Sequence, residues 1–129
     1  MLCNVLIVDD SSATRSIVRQ IVREAGVAEE RTFEAGNGQE ALAVFEHAWI
    51  DLVVLDLNMP VLDGEAFART IRCRDDLADV RIIVVTSDQT TARHMRLRAI
   101  GVDGILTKPF CADELRSLIT HCLPQRRAA

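Results

Sequence analysis

Tyrosine is absent from this chain, and tryptophan and lysine occur once each. Aromatic residues make up 4% of a sequence that is 49% apolar, so its core has to be largely aliphatic. No apolar run approaches the roughly 18 residues that span a bilayer. The N-terminus, Met1-Leu2-Cys3-Asn4-Val5, lacks the basic and long apolar regions of a secretion signal. A cytoplasmic protein with no membrane partner is therefore expected. The cysteines, Cys3, Cys73, Cys111 and Cys122, form no CxxC pair and have no histidine at zinc-finger spacing. Reduced, mostly buried thiols are expected in place of a disulfide framework or a zinc site. A formal charge of -4 argues against general affinity for nucleic acid. The length, 129 residues, fits one domain over 1–129 with its core at about 4–122. Such a domain buries roughly two-thirds of its unfolded surface. No repeat, linker or low-complexity stretch interrupts it.

What the chain does contain is an alternation, five times over, of strand-length apolar runs and helical periodicity, the pattern of an α/β fold. Strands are expected at 5–8, 32–35, 52–55, 82–85 and 105–106. Helices are expected at 12–25, from 37 to about 47, at 64–72, 91–99 and 112–122. In the first helix Ile17, Val18, Ile21, Val22 and Ala25 recur at helical spacing and Gly26 supplies the stop. Asn37 with Glu40 reads as an N-cap with an acid three residues on. Trp49 reads as a packing residue.

Strands one, three and four are unbroken aliphatic runs, as in parallel strands covered on both faces, whereas two and five are short and mixed. With right-handed crossovers this favours a doubly wound, flavodoxin-like (βα)5 sheet in the order 2-1-3-4-5. In such sheets the ligand sits beyond the carboxyl ends of the strands, at the switch point between strands one and three.

The residues at those ends are Asp9 and Asp10, Asp56, Thr86 and Ser87, and Lys108. Each has a plain structural reading: Asp10 or Ser11 caps the first helix, Thr86 caps a turn, and "DLNMPVLDG" is a loop. Together they deliver three carboxylates, a hydroxyl and an ammonium to one crevice. Clustered carboxylates raise one another's pKa unless a cation joins them. All-oxygen ligands without His or Cys fit Mg²⁺. Lys108 is the single lysine beside fourteen arginines. Chance is the plain reading; the alternative is a place where a compact ammonium serves and a forked guanidinium does not. Opposite the carboxylates it reads as a clamp for an anion. A phosphoryl group carried by aspartate is the anion that fits, with Asp56 the best-placed acceptor.

"VLIVDDS", "DLVVLDLNMPVLDG", "VVTS" and "GILTKPF", in that order and spacing, resemble the response-regulator receiver domains of two-component signalling, in particular the single-domain chemotaxis type. The resemblance covers Asn4 to about Cys122. It implies that Asp56 is the phosphoacceptor, and that Asp10, Asp56 and the backbone carbonyl of Asn58 bind Mg²⁺ with help from Asp9. It further implies that Thr86 and Lys108 contact the phosphoryl oxygens across a cis Lys108-Pro109 bond. The phosphate comes from a histidine kinase or phosphotransfer protein and is later lost to water, so the domain phosphorylates and dephosphorylates itself without being a turnover enzyme. The implied output is a shift of the surface made by the fourth helix, fifth strand and fifth helix, toward an unidentified partner. Either a stand-alone regulator or an excised receiver would carry these motifs.

Ile105 departs from the aromatic usual three residues before the lysine, Ser87 replaces a residue often Ala, and Asn58 and Asp88 are expected at the site's entrance. Arg93, His94, Arg96 and Arg98 form a basic cluster on the fourth helix, read as a solvated face ahead of an acidic-partner site. Two rivals share parts of the pattern. A flavodoxin-like cofactor module would need a Ser/Thr/Gly-rich phosphate loop where Asp9-Asp10 stands. A haloacid-dehalogenase-type phosphatase would need an aspartate where Asn58 stands.

Overall fold

The computed structural model describes residues 3–57, 59 and 63–123. Its elements are β1 (Val5–Val8), α1 (Ser12–Glu24), β2 (Thr32–Ala35), α2 (Gly38–Val44), β3 (Leu52–Asp56), α3 (Gly64–Arg72), β4 (Arg81–Thr86), α4 (Thr91–Ile100), β5 (Gly104–Thr107) and α5 (Ala112–Cys122). The five strands are all parallel, in the order β2-β1-β3-β4-β5. β1 and β3 are buried along their whole length, while the edge strands β2 and β5 are only partly covered, as their mixed composition requires.

The period of two along each central strand divides the core into two layers. Leu6, Val8, Val53, Leu55, Ile82 and Val84 pack with Ala41, Phe67, Ile71 and Leu97 of α2, α3 and α4. Val5, Ile7, Leu52, Val54, Ile83 and Val85 pack with Val18, Ile21, Val22, Leu115 and Ile119 of α1 and α5. Phe67 is the aromatic exception in this aliphatic interior. Among the described residues no helix is long and apolar enough to cross a membrane.

The helix ends follow local chemistry. Asn37 Oδ1 accepts from Glu40 N at 2.9 Å, which satisfies a first-turn donor of α2, while Glu40 Oε1 accepts from Gly36 N, the residue before the cap, at 2.9 Å. Gly26 and Gly101 take φ of 102° and 99° after α1 and α4, in the region that favours glycine.

Four expectations need correction. Ile17, on the periodic stripe of α1, is 60% exposed, because the stripe is wider than the strip the sheet covers. Trp49 is 61% exposed and donates its Nε1–H to Asp51 Oδ1 at 3.2 Å; a polar tie to the chain holds it in place of packing. α2 closes at Val44, and turns carry the chain on toward His47. Only Cys3 and Cys122 are buried; Cys73 and Cys111 are exposed. Burial pushes the Cys122 thiol up, and the charge of Asp103 adds to the rise.

Candidate functional site

Register brings the acids together. Val8 pairs with Leu55, so the residues that follow, Asp9 and Asp56, leave neighbouring strands at the same level. Asp56 in turn lies opposite Val85, one residue before Thr86. Thr86 pairs with Thr107, and Lys108 N donates to Thr86 O at 2.8 Å, which sets the lysine one step past the edge strand. The Lys108-Pro109 bond is cis.

The resulting crevice holds carboxylate oxygens of Asp9, Asp10 and Asp56 within 4.8 Å of one another. Asp9 and Asp56 are buried and Asp10 is exposed. Lys108 Nζ approaches Asp56 Oδ1 at 3.3 Å. Burial raises the pKa of Asp9 above its ordinary 3.8; the Ser11 N–H donated to its Oδ1 at 2.9 Å opposes the rise, the charges of Asp56 and Asp10 add to it, and Lys108 opposes it. The three acids are thus a donor set of oxygen alone, with one member under electrostatic pressure that a cation would relieve. These residues fit a hard divalent ion held partly by water and phosphate oxygen.

The choice between Asp10 and Ser11 as the cap of α1 is resolved in favour of Ser11, whose Oγ accepts from Thr14 N at 3.2 Å. Asp10 is thereby left to the crevice. Arg15, one turn into α1, donates from Nη1 to the carbonyl of Asp9 at 2.6 Å and so anchors the strand end that carries the acids. Thr86 is fully buried, and its Oγ1 accepts from Asp88 N at 3.0 Å. Ser87 is exposed beside it. The Asp88 carboxylate is occupied by the start of α4, accepting Thr90 N at 2.9 Å and Thr90 Oγ1 at 2.7 Å. These two bonds hold its pKa below the usual carboxylate range. Ile105 pairs with Val84 and is partly buried against the α2–α4 layer. Asn58, expected to offer a carbonyl, lies outside the described residues.

One positioning residue was hidden within the loop reading of "DLNMPVLDG". Gly64, the first residue of α3, packs so tightly that a Cβ there would lie 2.4 Å from the carbonyl oxygen of Asp56 and 2.7 Å from Leu57 Cα. Its own N–H donates to Leu57 O at 3.1 Å, and Asp63 caps the helix by accepting from Ala66 N at 2.8 Å. The start of α3 therefore rests on the backbone that carries Asp56. The Asp-Gly pair is the sequence signal, but a turn would use the same two residues.

A family model described as the response regulator receiver domain matches residues 5–120. Chemotaxis protein CheY-3 of Vibrio cholerae is 33% identical over 112 residues, covering 87% of this chain and 85% of that protein. Sporulation initiation phosphotransferase F of Bacillus subtilis is 29% identical over 120 residues, covering 93% of each. The structure of chemotaxis response regulator CheY4 of Vibrio cholerae superimposes with a TM-score of 0.85 at 30% identity, over 95% of this chain and 100% of that one. The receiver domain of sensor histidine kinase PA1611 from Pseudomonas aeruginosa, solved with magnesium coordinated in its active-site cleft, matches with a TM-score of 0.79 at 25% identity, over 92% and 95% of the two chains.

Proposed function

Because the chain belongs to the response regulator receiver family, we propose that Asp56 is the side chain on which it accepts a phosphoryl group. As a receiver it is a phosphorylation-dependent switch of two-component signalling. The observation that carries the assignment is the placement of Lys108 Nζ 3.3 Å from Asp56 Oδ1, beside carboxylates of Asp9 and Asp10 within 4.8 Å.

Asp9, Asp10 and Asp56 would hold Mg²⁺, with the carbonyl of Asn58 as a further ligand. When bound, the ion supplies charge neutralisation for the phosphoryl oxygens. An Asp56 carboxylate oxygen attacks phosphorus as the bond to the donor's histidine nitrogen breaks. Lys108 faces one phosphoryl oxygen as a point charge, already placed before the group arrives. Thr86 offers its hydroxyl proton to another. Turning toward the phosphate takes Thr86 Oγ1 away from Asp88 N, the residue whose carboxylate fixes Thr90 at the head of α4. A local charge event thus reaches a helix through one hydrogen bond. Hydrolysis of the acyl phosphate restores the starting arrangement.

The donor is a histidine kinase or phosphotransfer protein, and its histidine must come within bonding distance of Asp56. Its carrier then covers the rim beside the crevice, where Ile17, Ile21, Pro109 and Phe110 line an open groove with Lys108. Exposed Ile17 fits that contact. On the output side a partner is controlled through the α4-β5-α5 face, and α4 carries the exposed Met95. The receiver reading covers 1–129 as one domain and carries a cytoplasmic location with it.

The test is to incubate the protein with acetyl phosphate and Mg²⁺ and map the label. Label is expected on Asp56 alone and is lost in Asp56→Asn. Undiminished label in a folded Asp56→Asn protein would reject the assignment.

A further inference from the structure

α3 and α4 together carry five arginines, Arg69, Arg72, Arg93, Arg96 and Arg98, and one acid, Glu65, in a chain whose net charge is -4. The excess is concentrated where the two helices meet. Arg69, Arg72 and Arg96 line an open groove of about 340 Å³ whose other walls are Cys73, Ala99 and Ile100. Glu65 serves three of the guanidinium groups at once: Arg69 at 3.0 Å, Arg96 at 3.5 Å and Arg93 at 3.6 Å. Arg93 also has Asp88 Oδ2 at 3.6 Å, which leaves Arg69 and Arg96 to share the one carboxylate of Glu65.

Arg72 is the most enclosed of the three groove arginines, its side chain 18% exposed against 57% for Arg69 and 48% for Arg96. It is fixed by the Gly101 carbonyl, 3.1 Å from Nε, and by Asp103 Oδ2, 3.1 Å from Nη2. Its Nη1 is enclosed and has no hydrogen-bond partner. Arg72 thus brings to the groove a positioned guanidinium, paired with Asp103 on one side and with one donor unsatisfied. Cations are favoured at helix C-termini, which accounts for Arg69, Arg72 and Arg98 in the last turns. Arg96 precedes the last turn of α4 and closes the groove from its far side, and helix-end electrostatics do not ask for it.

We propose that this α3–α4 groove is a docking site for an acidic segment of a partner protein. A carboxylate of the segment sits between Arg69 and Arg96, and Arg72 adds its charge from beneath. Ala99 and Ile100 give apolar walls that suit a protein segment, in which acidic and apolar side chains alternate. The groove lies between α3 and α4 and takes Arg96, Ala99 and Ile100 from α4. Cationic patches raise association rates with acidic partners and make them fall with salt.

The experiment titrates isotope-labelled, unphosphorylated protein with a blocked peptide of alternating glutamate and leucine, followed by amide NMR. The matched glutamine–leucine peptide and inorganic phosphate serve as separate controls. The acidic peptide is expected to shift Cys73, Ala99 and Ile100, and the glutamine peptide is not. Arg69→Gln/Arg96→Gln, which changes only exposed side chains, should weaken binding about tenfold, the equivalent of one or two charge-assisted contacts. Glu65→Gln removes the competing acid and should tighten it. Equal binding by the double variant, shifts confined to other surfaces, or the same shifts from phosphate at equal concentration would each overturn the proposal.

Discussion

At the scale of the residue, Lys108 decides more than its exposure implies. Its ammonium stands 3.3 Å from Asp56 Oδ1 at the end of an edge strand, where a planar guanidinium is longer and arranged for paired bonds. Lys108→Arg is expected to retain Mg²⁺ binding through Asp9, Asp10 and Asp56 and to accept some phosphate, yet to lose the coupling that turns Thr86 inward. Amide shifts of α4 and α5 with and without a phosphate mimic check this; a full wild-type pattern in the variant would make the lysine incidental. The site acids and Lys108 were legible because each follows an apolar strand, and the chemistry of a switch-point crevice collects strand ends. Which of Asp10 and Ser11 capped α1 was not legible, since either side chain at that position offers an acceptor oxygen. Trp49 misled for a related reason. Its large apolar ring predicts burial, whereas its N–H bond to Asp51 holds it at the surface.

Between elements, the informative contacts are those periodicity does not encode. Gly64→Ala would push a methyl group into the Asp56 carbonyl and the Leu57 backbone, 2.4 and 2.7 Å away, and backbone there cannot yield cheaply. The variant is expected to lose about 2 kcal/mol of stability, within the usual range for overpacking, and to accept phosphate more slowly as Asp56 is displaced. Denaturant melts and labelling rates check both, and an unchanged melt would show that α3 is free to shift. On the opposite side of the sheet, Arg15 and Arg19 of α1 reach Glu34 of β2 at 2.8 and 2.7 Å. Burial acts to raise the Glu34 pKa, but bonds from the two arginines outweigh it and hold the carboxyl below its ordinary 4.5. A lowered folded pKa gives stability that is present above the unfolded value and lost as pH falls through the folded one. Glu34→Gln should therefore cost about 1 kcal/mol at neutral pH, less in high salt. The gap to wild type should close below pH 4.5 as Glu34 takes up its proton. A gap independent of pH would show that shape, not charge, ties α1 to β2.

Over the whole molecule, strand order followed from composition taken together with the right-handedness of crossovers. Continuous aliphatic runs at 5–8, 52–55 and 82–85 demanded cover on both faces, which left the mixed runs to the edges; crossover handedness then favoured β2-β1-β3-β4-β5, the order observed. The groove between α3 and α4 was legible only in half, because a basic cluster on one helix says nothing of the arginines another helix sets beside it. Beyond the end of β4, Thr86 Oγ1 accepts from Asp88 N and the Asp88 carboxylate accepts from Thr90 N, a chain that runs from the Asp56 crevice to the head of α4. Amide NMR of the protein with Mg²⁺ and beryllofluoride, in wild type and Asp56→Asn, tests that chain most directly. Relative to Mg²⁺ alone, beryllofluoride should shift Asp9, Asp10, Asp56 and Lys108 together with Thr86, Asp88 and the residues of α4 and β5 in wild type, and none of them in Asp56→Asn. Shifts that stay in the crevice without reaching α4, or that persist in Asp56→Asn, would contradict a switch driven by phosphate on Asp56.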